Sequence, residues 1–443
     1  MATRLAVIGG GPKAVAIACK ANVLNRAGVL DCAVHVFEEQ EVGASWSGQH
    51  GYTDGLQSLC TPAEKDLGFP YAAIPGAAFA AAEMMTLASW GAFKAGSGYA
   101  DWVDLGRAPS SHGEFAAYLR WAFARSGATL HRGKVVALRT AGADAWDIDV
   151  GAVPGPGAGP KLDSFDGVVV TGHGPPRRLS RSSQPNLFDG KDFWAASSRS
   201  QVASAVRHKT ITEDNPLVVI GGGGTSAAVL AWFARQGFVD LPMILLAEQA
   251  TFYTRGDSVF ENRLFSDPAY WAELTHSTRR AFFDRLTRGV VWQAVMQDLV
   301  RLSALRFVEG RAAAIVPTPP AGLSVTWTRR LTLAERAAGL ADSGQSDAGM
   351  VVDATGFDNW WFLDLLPPGA VPPPGSARTG WQGRLADGMG EDLKFRDGWT
   401  LPPLHAPFQS IMVGPGFASL LALGDMADRV LRPYMDSGRL SLP

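Results

Sequence analysis

The chain has 443 residues, of which 47% are apolar and 19% are charged, and its 40 basic and 42 acidic side chains leave a formal net charge of -2. A disordered chain would need fewer apolar residues and more net charge, and a nucleic-acid-binding surface would need an excess of basic residues. The 50 glycines are about 11% of the chain against the usual ~7%, and they show no three-residue period, which excludes collagen. The length suggests two or three domains.

The predicted elements follow an order of strand, glycine turn, helix and strand that occurs twice. The first of these βαβ units has its strand, helix and second strand at residues 5–8, 12–26 and 33–37. A helix at 112–125, a glycine- and proline-rich surface hairpin loop at 151–160 and a strand at 167–171 come next. The second unit has its elements at 217–220, 225–235 and 243–247. The remaining predictions are helices at 267–286, 290–302 and 419–432 and strands at 313–316, 323–328 and 349–355.

The first glycine turn has the pattern of a dinucleotide-binding site. In GGGPKA, Gly9 permits a tight turn, Gly11 lets the backbone approach a pyrophosphate, and Ala14 keeps the helix close to the strand. The helix N-terminus adds N–H groups and the positive end of its dipole. Glu38 ends the next strand, where it can accept hydrogen bonds from ribose hydroxyls. Together these features predict binding of FAD or NAD.

The second glycine turn, GGGGTS, repeats the pattern with Gly221, Gly223 and Ser226 in the three roles. Two nearby residues indicate different cofactors. Glu248, at the end of the following strand, could bind ribose hydroxyls and favour NADH, whereas Arg255 could hold a 2′-phosphate and favour NADPH. Alternatively, both are solvated surface charges, and the sequence leaves the preference open.

Two strands that end in Thr-Gly flank the second unit: VVVTG ends at Gly172 and VVDATG ends at Gly356. Such a pair is expected if the chain leaves a flavin domain, forms a nicotinamide-nucleotide domain and then returns. Two unrelated buried strands are the alternative. A flavin needs a source of hydride, so two dinucleotide folds in one chain predict an oxidoreductase that uses FAD and NAD(P)H.

Several other chemistries are disfavoured. The eight histidines form no HxxxH or HExxH pattern, so no metal site is expected, and no GxSxG nucleophile motif occurs. Cys19, Cys32 and Cys60 form no CxxC, which argues against a disulfide reductase. No stretch reaches the ~18 uncharged apolar residues of a membrane helix. We therefore expect a reduced, cytoplasmic protein without nucleic-acid or membrane partners.

A family likeness rests on six blocks that occur in one order along nearly the whole chain. They are GGGPKAVAIACKANVL, VGASWSGQHGYTDGLQSLCTPAEKDLGFPY, VIGGGGTSAA, FYTRGDSVFENRLFSDPAYW, VVDATGF and GPGFASLLALGDMADRVL. With these blocks the chain resembles the flavin-dependent N-hydroxylating monooxygenases, especially the L-lysine N6-monooxygenases of mycobactin siderophore assembly. The second and fourth blocks are far more specific than either glycine turn.

The resemblance implies an α/β fold with two Rossmann-like domains. An FAD-binding domain over 1–200 and 346–443 is interrupted by an NADPH-binding domain over 201–345, which carries a small, mostly helical substrate subdomain at about 257–302. It also implies that NADPH reduces FAD and that reduced flavin and O2 form a C4a-hydroperoxide. The neutral side-chain amine of L-lysine then takes the distal oxygen, which yields an N-hydroxylated amino acid for hydroxamate siderophore synthesis. Members of this family are often oligomeric, so we expect a homo-oligomer.

The resemblance also assigns site residues. Lys65 matches the lysine that binds the substrate carboxylate, Asn262 matches the asparagine that holds the amino-acid backbone, and Gln57 lies near the glutamine beside the flavin. A shielded site needs apolar walls, because the oxidant must be kept from water. The aromatic candidates are Trp46, on the cofactor side, with Phe260 and Phe265.

One departure bears on the substrate. The ornithine hydroxylases carry an acidic residue shortly before the C-terminal Leu-Leu, whereas Ala418 and Ser419 precede Leu420 and Leu421 here. This favours the lysine branch and leaves the C-terminal contact with the substrate carboxylate open. The alternatives are an N-hydroxylase of ornithine or another primary amine, and a flavin monooxygenase that oxidises sulfur or ketones. A non-catalytic nucleotide-binding homologue is the least favoured.

Overall fold

The computed structural model describes residues 2–72, 79–151, 161–182, 184–207, 210–249, 251–254, 258–286, 290–318 and 322–435. The strands are β1 (Thr3–Ile8), β2 (Cys32–Glu38), β3 (Thr129–Arg132), β4 (Val135–Thr140), β5 (Trp146–Val150), β6 (Lys161–Phe165), β7 (Gly167–Val170), β8 (Leu187–Asp189), β9 (Leu217–Ile220), β10 (Met243–Ala247), β11 (Tyr253–Thr254), β12 (Val290–Val291), β13 (Leu305–Glu309), β14 (Arg311–Thr318), β15 (Gly322–Thr328), β16 (Ser343–Ala348), β17 (Met350–Asp353) and β18 (Leu404–His405). The α-helices are α1 (Pro12–Arg26), α2 (Phe79–Ala88), α3 (Trp90–Ala95), α4 (Tyr99–Asp104), α5 (His112–Ser126), α6 (Ala196–Arg207), α7 (Gly224–Arg235), α8 (Val259–Ser266), α9 (Pro268–Ala272), α10 (His276–Leu286), α11 (Gln293–Leu299), α12 (Leu333–Ala337), α13 (Ser376–Asp387), α14 (Pro415–Ala418) and α15 (Leu423–Leu431).

The first sheet is parallel throughout and has the strand order β18-β7-β1-β2-β3. Its central strand β1 is flanked by β2 and β7, with Ile8 opposite both Phe37 and Val170. Such strands are buried on both faces and therefore form continuous apolar runs. The first predicted βαβ unit is confirmed, and helix α1 has the bounds that the sequence predicts.

The second sheet is also parallel and has the order β13-β10-β9-β17-β8. The predicted α/β class with two Rossmann-like folds is confirmed. Strands β8 and β17 lie outside the predicted range 201–345, yet both pair within this sheet. We therefore propose that the second nucleotide domain begins before β8 and ends after β17.

Three predicted helix boundaries are wrong. The predicted helix 267–286 is two helices, α9 and α10, because residues 273–275 interrupt it and the Thr275 hydroxyl accepts a hydrogen bond from the amide of Thr278 at the start of α10. Of the predicted helix 290–302, only α11 is helical, since β12 pairs with β11. The predicted helix 419–432 begins only at α15, because the Ser419 hydroxyl accepts a hydrogen bond from the amide of Leu421 in a non-helical turn.

Helix α15 packs against α1 and ties the end of the chain to the first sheet. Its buried residues Leu423, Met426, Ala427 and Val430 follow helical spacing. Across this interface the buried Lys20 pairs with Asp428 at 2.8 Å. None of the described helices is long and apolar enough to cross a membrane. Strands β5 and β6 form an antiparallel hairpin, and most of its predicted loop, 152–160, lies outside the described residues.

Candidate active site

The first glycine turn has the backbone that a dinucleotide cradle requires. Gly9 has φ of +98°, and a Cβ there would lie 2.8 Å from the Thr171 hydroxyl oxygen, so this position needs glycine. Gly11 caps α1 with an ordinary φ, and a Cβ there would meet no described atom within 4 Å. Ala14 is fully buried between helix and sheet. The open side of the turn at Gly11 therefore faces free space at the N-terminus of α1, where an anion is favoured.

Glu38 closes the rim of this turn. Its Oε2 accepts a hydrogen bond from the amide of Gly10 at 2.7 Å, and its Oε1 accepts one from the amide of Gln40 at 2.9 Å. An ionised carboxylate has about four acceptor positions, so both oxygens can also accept from ribose hydroxyls. This geometry is compatible with the predicted ribose contact.

The second turn repeats the arrangement. Gly221 has φ of +110°, and a Cβ there would overlap the Ala354 carbonyl, whereas a Cβ at Gly223 would meet no described atom within 4 Å. Ser226 is buried, and its hydroxyl donates to the carbonyl of Gly223 at 2.7 Å. Arg255, the predicted phosphate-binding residue, lies outside the described residues.

The two Thr-Gly strand ends meet, although they are far apart in the sequence. The rings of His173 and Phe357, one residue beyond each glycine, have centroids 4.2 Å apart. The indole N–H of Trp361 donates to the carbonyl of Gly172 at 3.1 Å, and Gly356 has φ of +104°. These two ends form one junction between the sheets, which is the arrangement expected if the chain leaves one fold and returns to it here.

Gln57 and Trp46 meet at His112, the first residue of α5. The His112 amide donates to the Gln57 carbonyl at 2.8 Å, and the rings of Trp46 and His112 pack edge to face with centroids 4.7 Å apart. Burial lowers the pKa of His112 to about 4, so this imidazole is neutral at pH 7. Gln57 is itself buried, and its Oε1 has no hydrogen-bond partner within the described part of the chain.

An ion pair between the two nucleotide folds supports the Gln57 turn, and the sequence reasoning missed it. The Asp54 Oδ1 accepts from the amides of Leu56 and Gln57 at 3.0 and 3.1 Å. Its Oδ2 accepts from Arg235 at the end of α7 at 2.9 Å, and the Asp54 side chain is only 4% exposed. Arg235 also reaches Asp298 on α11 at 3.2 Å. The position of Gln57 is thus linked to the helix that follows the second glycine turn.

The two predicted substrate-binding residues contact each other. Lys65 Nζ donates to Asn262 Oδ1 at 2.7 Å, although 197 positions separate them in the sequence. Lys65 is half-buried, and its ammonium group lies 5.8 Å from the centre of the Phe69 ring. A cation and an adjacent amide form a suitable pair for binding the carboxylate of an amino acid.

The turn that carries Lys65 is held by a buried carboxylate. Asp66 accepts hydrogen bonds from the amide of Trp90 at 2.7 Å, the hydroxyl of Tyr71 at 2.8 Å and the amide of Gly68 at 3.1 Å. Burial raises the pKa of Asp66 to about 6, and the hydrogen bonds to its charged form oppose this increase only in part. Asp66 therefore fixes the backbone next to Lys65.

The C-terminal segment, which comprises α14 and α15, joins the first glycine turn to the turn that carries Lys65. A Cβ at Gly416 would overlap the Phe265 carbonyl, and one at Gly424 would overlap the Gly68 carbonyl, so both glycines allow close backbone approach. Lys13, inside the first glycine motif, is buried and donates to the carbonyls of Ala418 and Ser419 at 3.1 and 2.8 Å. Burial lowers the pKa of Lys13 to about 7. The sequence analysis missed this link, and the lysine inside the GGGPKA motif is the signal that could have found it.

The predicted aromatic walls are only partly correct. Phe265 is buried, and Trp46 is half-buried beside His112. Phe260 is 68% exposed, and we correct its assignment as a wall. On α8 the inward positions are Glu261 and Phe265, four residues apart, which turns Phe260 outward.

These residues fit two dinucleotides, one of which carries a flavin. Both helices that follow the glycine turns lack acidic residues in the first turn, so nothing there repels a pyrophosphate. Gly11 and Gly223 leave space where a backbone–phosphate contact would form, and the unpartnered Oε1 of Gln57 is an acceptor for a ligand.

The sequence is similar to those of curated mycobacterial enzymes over almost its full length. It is 35% identical over 439 residues to the L-lysine N6-monooxygenase MbtG of Mycobacterium sp. (strain MCS), covering 97% of this chain and 95% of that protein. It is 33% identical to the protein of the same name from Mycobacterium tuberculosis (strain ATCC 25618 / H37Rv), covering 96% and 94%. No protein-family model matches the chain.

Solved structures share the fold. The lysine monooxygenase NbtG from Nocardia farcinica superimposes with a TM-score of 0.75 at 30% identity, covering 97% of this chain and 100% of that one. The ornithine N-hydroxylase KtzI of Kutzneria sp. 744, whose structure is a complex with reduced FAD, NADP+ and L-ornithine, gives a TM-score of 0.67 at 18% identity, covering 98% and 100%. The second likeness concerns the fold alone.

Proposed function

The chain belongs to the L-lysine N6-monooxygenase family of flavin-dependent N-hydroxylating enzymes, and from this membership we propose that it hydroxylates the side-chain amine of L-lysine with FAD, NADPH and O2. The product is N6-hydroxylysine, the precursor of a hydroxamate iron ligand. The relatives named above are L-lysine N6-monooxygenases, and the proposal extends their substrate to this chain.

The observation that carries the proposal is the hydrogen bond between Lys65 and Asn262 at 2.7 Å. The second and fourth sequence blocks, which hold these residues, come together beside the C-terminal segment that packs on α8. Lys65 binds the substrate carboxylate, and Asn262 holds its α-amino and carboxyl groups. The substrate side chain is thereby left free to reach toward the cofactor.

When bound, FAD reduced by NADPH would supply activated dioxygen, of which one oxygen atom goes to the substrate nitrogen and the other leaves as water. Gly9, Gly11 and the N-terminus of α1 would hold its pyrophosphate, and Glu38 would accept from its ribose. Gln57 would offer the side-chain oxygen that has no partner among the described residues. Gly221 and Gly223 would hold the pyrophosphate of NADPH in the same way.

The chain must also prepare the amine. A free lysine amine has a pKa of about 10.4 and is mostly protonated at pH 7, yet only the neutral form has the lone pair that bonds to oxygen. A site closed from water disfavours the charged amine and lowers its pKa. The buried Lys13, whose pKa falls to about 7, illustrates the strength of this effect beside the same C-terminal segment. Phe265, which is buried and whose carbonyl lies against Gly416 of that segment, helps to exclude water there.

The test uses purified, FAD-loaded protein with NADPH and O2. We expect L-lysine to yield a product one oxygen atom heavier, with the hydroxyl group on the side-chain nitrogen, and L-ornithine and cadaverine to react less efficiently. Preferential turnover of L-ornithine or cadaverine would show that this amine, and not L-lysine, is the substrate. Oxidation of a sulfide or ketone without amine hydroxylation would overturn it.

A further inference from the structure

An arginine-lined cavity of about 450 Å³ lies in the second nucleotide fold, at the carboxyl ends of β10 and β13. Arg311, Arg329 and Arg330 line it together with Glu248 and Glu309. Three guanidinium groups therefore face two carboxylates, and the cavity carries an excess positive charge.

The cavity adjoins the second glycine turn. A Cβ at Gly222 would lie 2.7 Å from Nε2 of Gln249, so this cavity-lining side chain packs directly on the turn. On the other side, the amide of Gly310 donates to the carbonyl of Ala247 at 2.7 Å and fixes the start of β14 beside the end of β10. In a dinucleotide fold, the adenosine ribose lies beyond the end of the strand that follows the glycine turn, and that strand is β10 here.

Glu248 does not provide a simple ribose site at this strand end. Its side chain is 69% exposed and lies 3.7 Å from Nε of Arg311, which is itself 78% exposed. Exposed ion pairs of this kind contribute little to stability. Arg311 can therefore exchange this carboxylate for a better anion without a large penalty.

Arg329 is held in place more firmly. Its Nε donates to the carbonyl of Ala341 at 2.7 Å, and its guanidinium lies 5.8 Å from the centre of the Trp327 ring. A guanidinium whose Nε is held in this way still has terminal N–H groups, and a planar pair of such groups matches the geometry of a phosphate.

We propose that Arg311, Arg329 and Arg330 form a binding site for a phosphate monoester, the 2′-phosphate of NADPH, and so determine the preference for NADPH over NADH. This inference rests on the proposed function in one respect, namely that the second glycine turn binds a nicotinamide dinucleotide. The phosphate takes the place of Glu248 on Arg311, and Arg329 supplies the fixed second contact.

The test measures binding without catalysis. FAD-loaded protein is titrated calorimetrically with adenosine 2′,5′-bisphosphate, with 5′-AMP, which lacks the 2′-phosphate, and with inorganic phosphate. We expect the bisphosphate to bind more tightly than 5′-AMP, and R311Q and R329Q each to weaken it roughly tenfold while leaving 5′-AMP unchanged. E248Q should strengthen bisphosphate binding severalfold, because it removes a like charge. The control R139Q alters an exposed arginine that pairs with Asp149 on another sheet, and it should change neither affinity.

Steady-state kinetics should follow the same pattern, with kcat/KM for NADPH reduced in R311Q and R329Q and kcat/KM for NADH unchanged. Equal affinity of the wild-type protein for the bisphosphate and 5′-AMP would overturn the assignment. Equal losses of affinity for both ligands in R311Q and R329Q would also overturn it. Binding of inorganic phosphate as tight as that of the bisphosphate would show a general anion site instead. Failure of the wild-type protein to hydroxylate L-lysine would contradict the proposed function alone, since the titrations do not depend on the amine.

Discussion

Replacing Lys65 with methionine tests the substrate-binding pair directly. The change keeps most of the side-chain length and removes the ammonium group that lies 2.7 Å from Asn262. If Lys65 binds the substrate carboxylate, the variant loses a charge-assisted hydrogen bond worth about 1.5–3 kcal/mol, which corresponds to about 10- to 150-fold in affinity. Most of this loss should appear in KM for L-lysine, because the carboxylate is remote from the reacting nitrogen.

Cadaverine provides the discriminating substrate, because it has the same amine chain without the carboxylate. The assay is hydroxylamine formation with each substrate at varied concentration. We expect kcat/KM for L-lysine to fall about 10- to 150-fold and that for cadaverine to change little. Lys94→Met is the matched control, since it removes an ammonium group that pairs with Glu114 at 2.9 Å outside the site. Equal losses for both amines, or an unchanged KM for L-lysine, would refute the assigned role of Lys65.

Three further predictions concern the cradle, the interdomain ion pair and the buried carboxylate. Gly11→Ala should weaken FAD binding about tenfold and Gly223→Ala should weaken NADPH binding about tenfold, measured by fluorescence titration, because each Cβ occupies space left for a phosphate. Interchanged effects would contradict the assignment of the two turns. Replacing Asp54 with asparagine keeps an acceptor for the backbone amides but removes the charge facing Arg235. The substitution should lower the free energy of unfolding by about 2 kcal/mol, measured by chemical denaturation. It should also increase the peroxide released per NADPH consumed. An unchanged peroxide yield would show that this ion pair does not position the site. The pKa of Asp66 is raised from 3.8 to about 6, so between pH 6 and 4 the native protein binds a proton that the unfolded chain lacks, and the contribution of Asp66 to stability rises as the pH falls. The free energy of unfolding of the wild type relative to Asp66→Asn should thus rise by up to about 3 kcal/mol from pH 7 to pH 4, whereas a flat difference would contradict the pKa.

The parts of the fold that the sequence predicts well depend on local rules. Both glycine turns require particular backbone angles at Gly9 and Gly221, and the buried parallel strands beside them are continuous apolar runs. The start of α9 is also a local signal, because Asp267 is a helix cap and proline follows it, and the predicted segment begins at that residue. The break between α9 and α10 has its own local signal, the cap at Thr275.

The parts that the sequence does not predict depend on tertiary packing. No spacing rule brings Asp54 to Arg235, because these residues belong to different folds and their ion pair depends on how the two folds pack. The pairing of Lys65 with Asn262 was accessible only through family resemblance, since 197 residues separate them. The outward turn of Phe260 follows from which face of α8 packs inward, and its sequence block does not indicate that face.

The most direct test of the central claim is the ratio of hydroxylated amino acid formed to NADPH consumed by the FAD-loaded protein with L-lysine as substrate. We expect N6-hydroxylysine to accumulate as NADPH is consumed, and kcat/KM to be higher for L-lysine than for L-ornithine or cadaverine. If NADPH oxidation in the presence of saturating FAD and L-lysine releases only hydrogen peroxide, and no other amine is hydroxylated, the assignment as a lysine N-hydroxylase is contradicted.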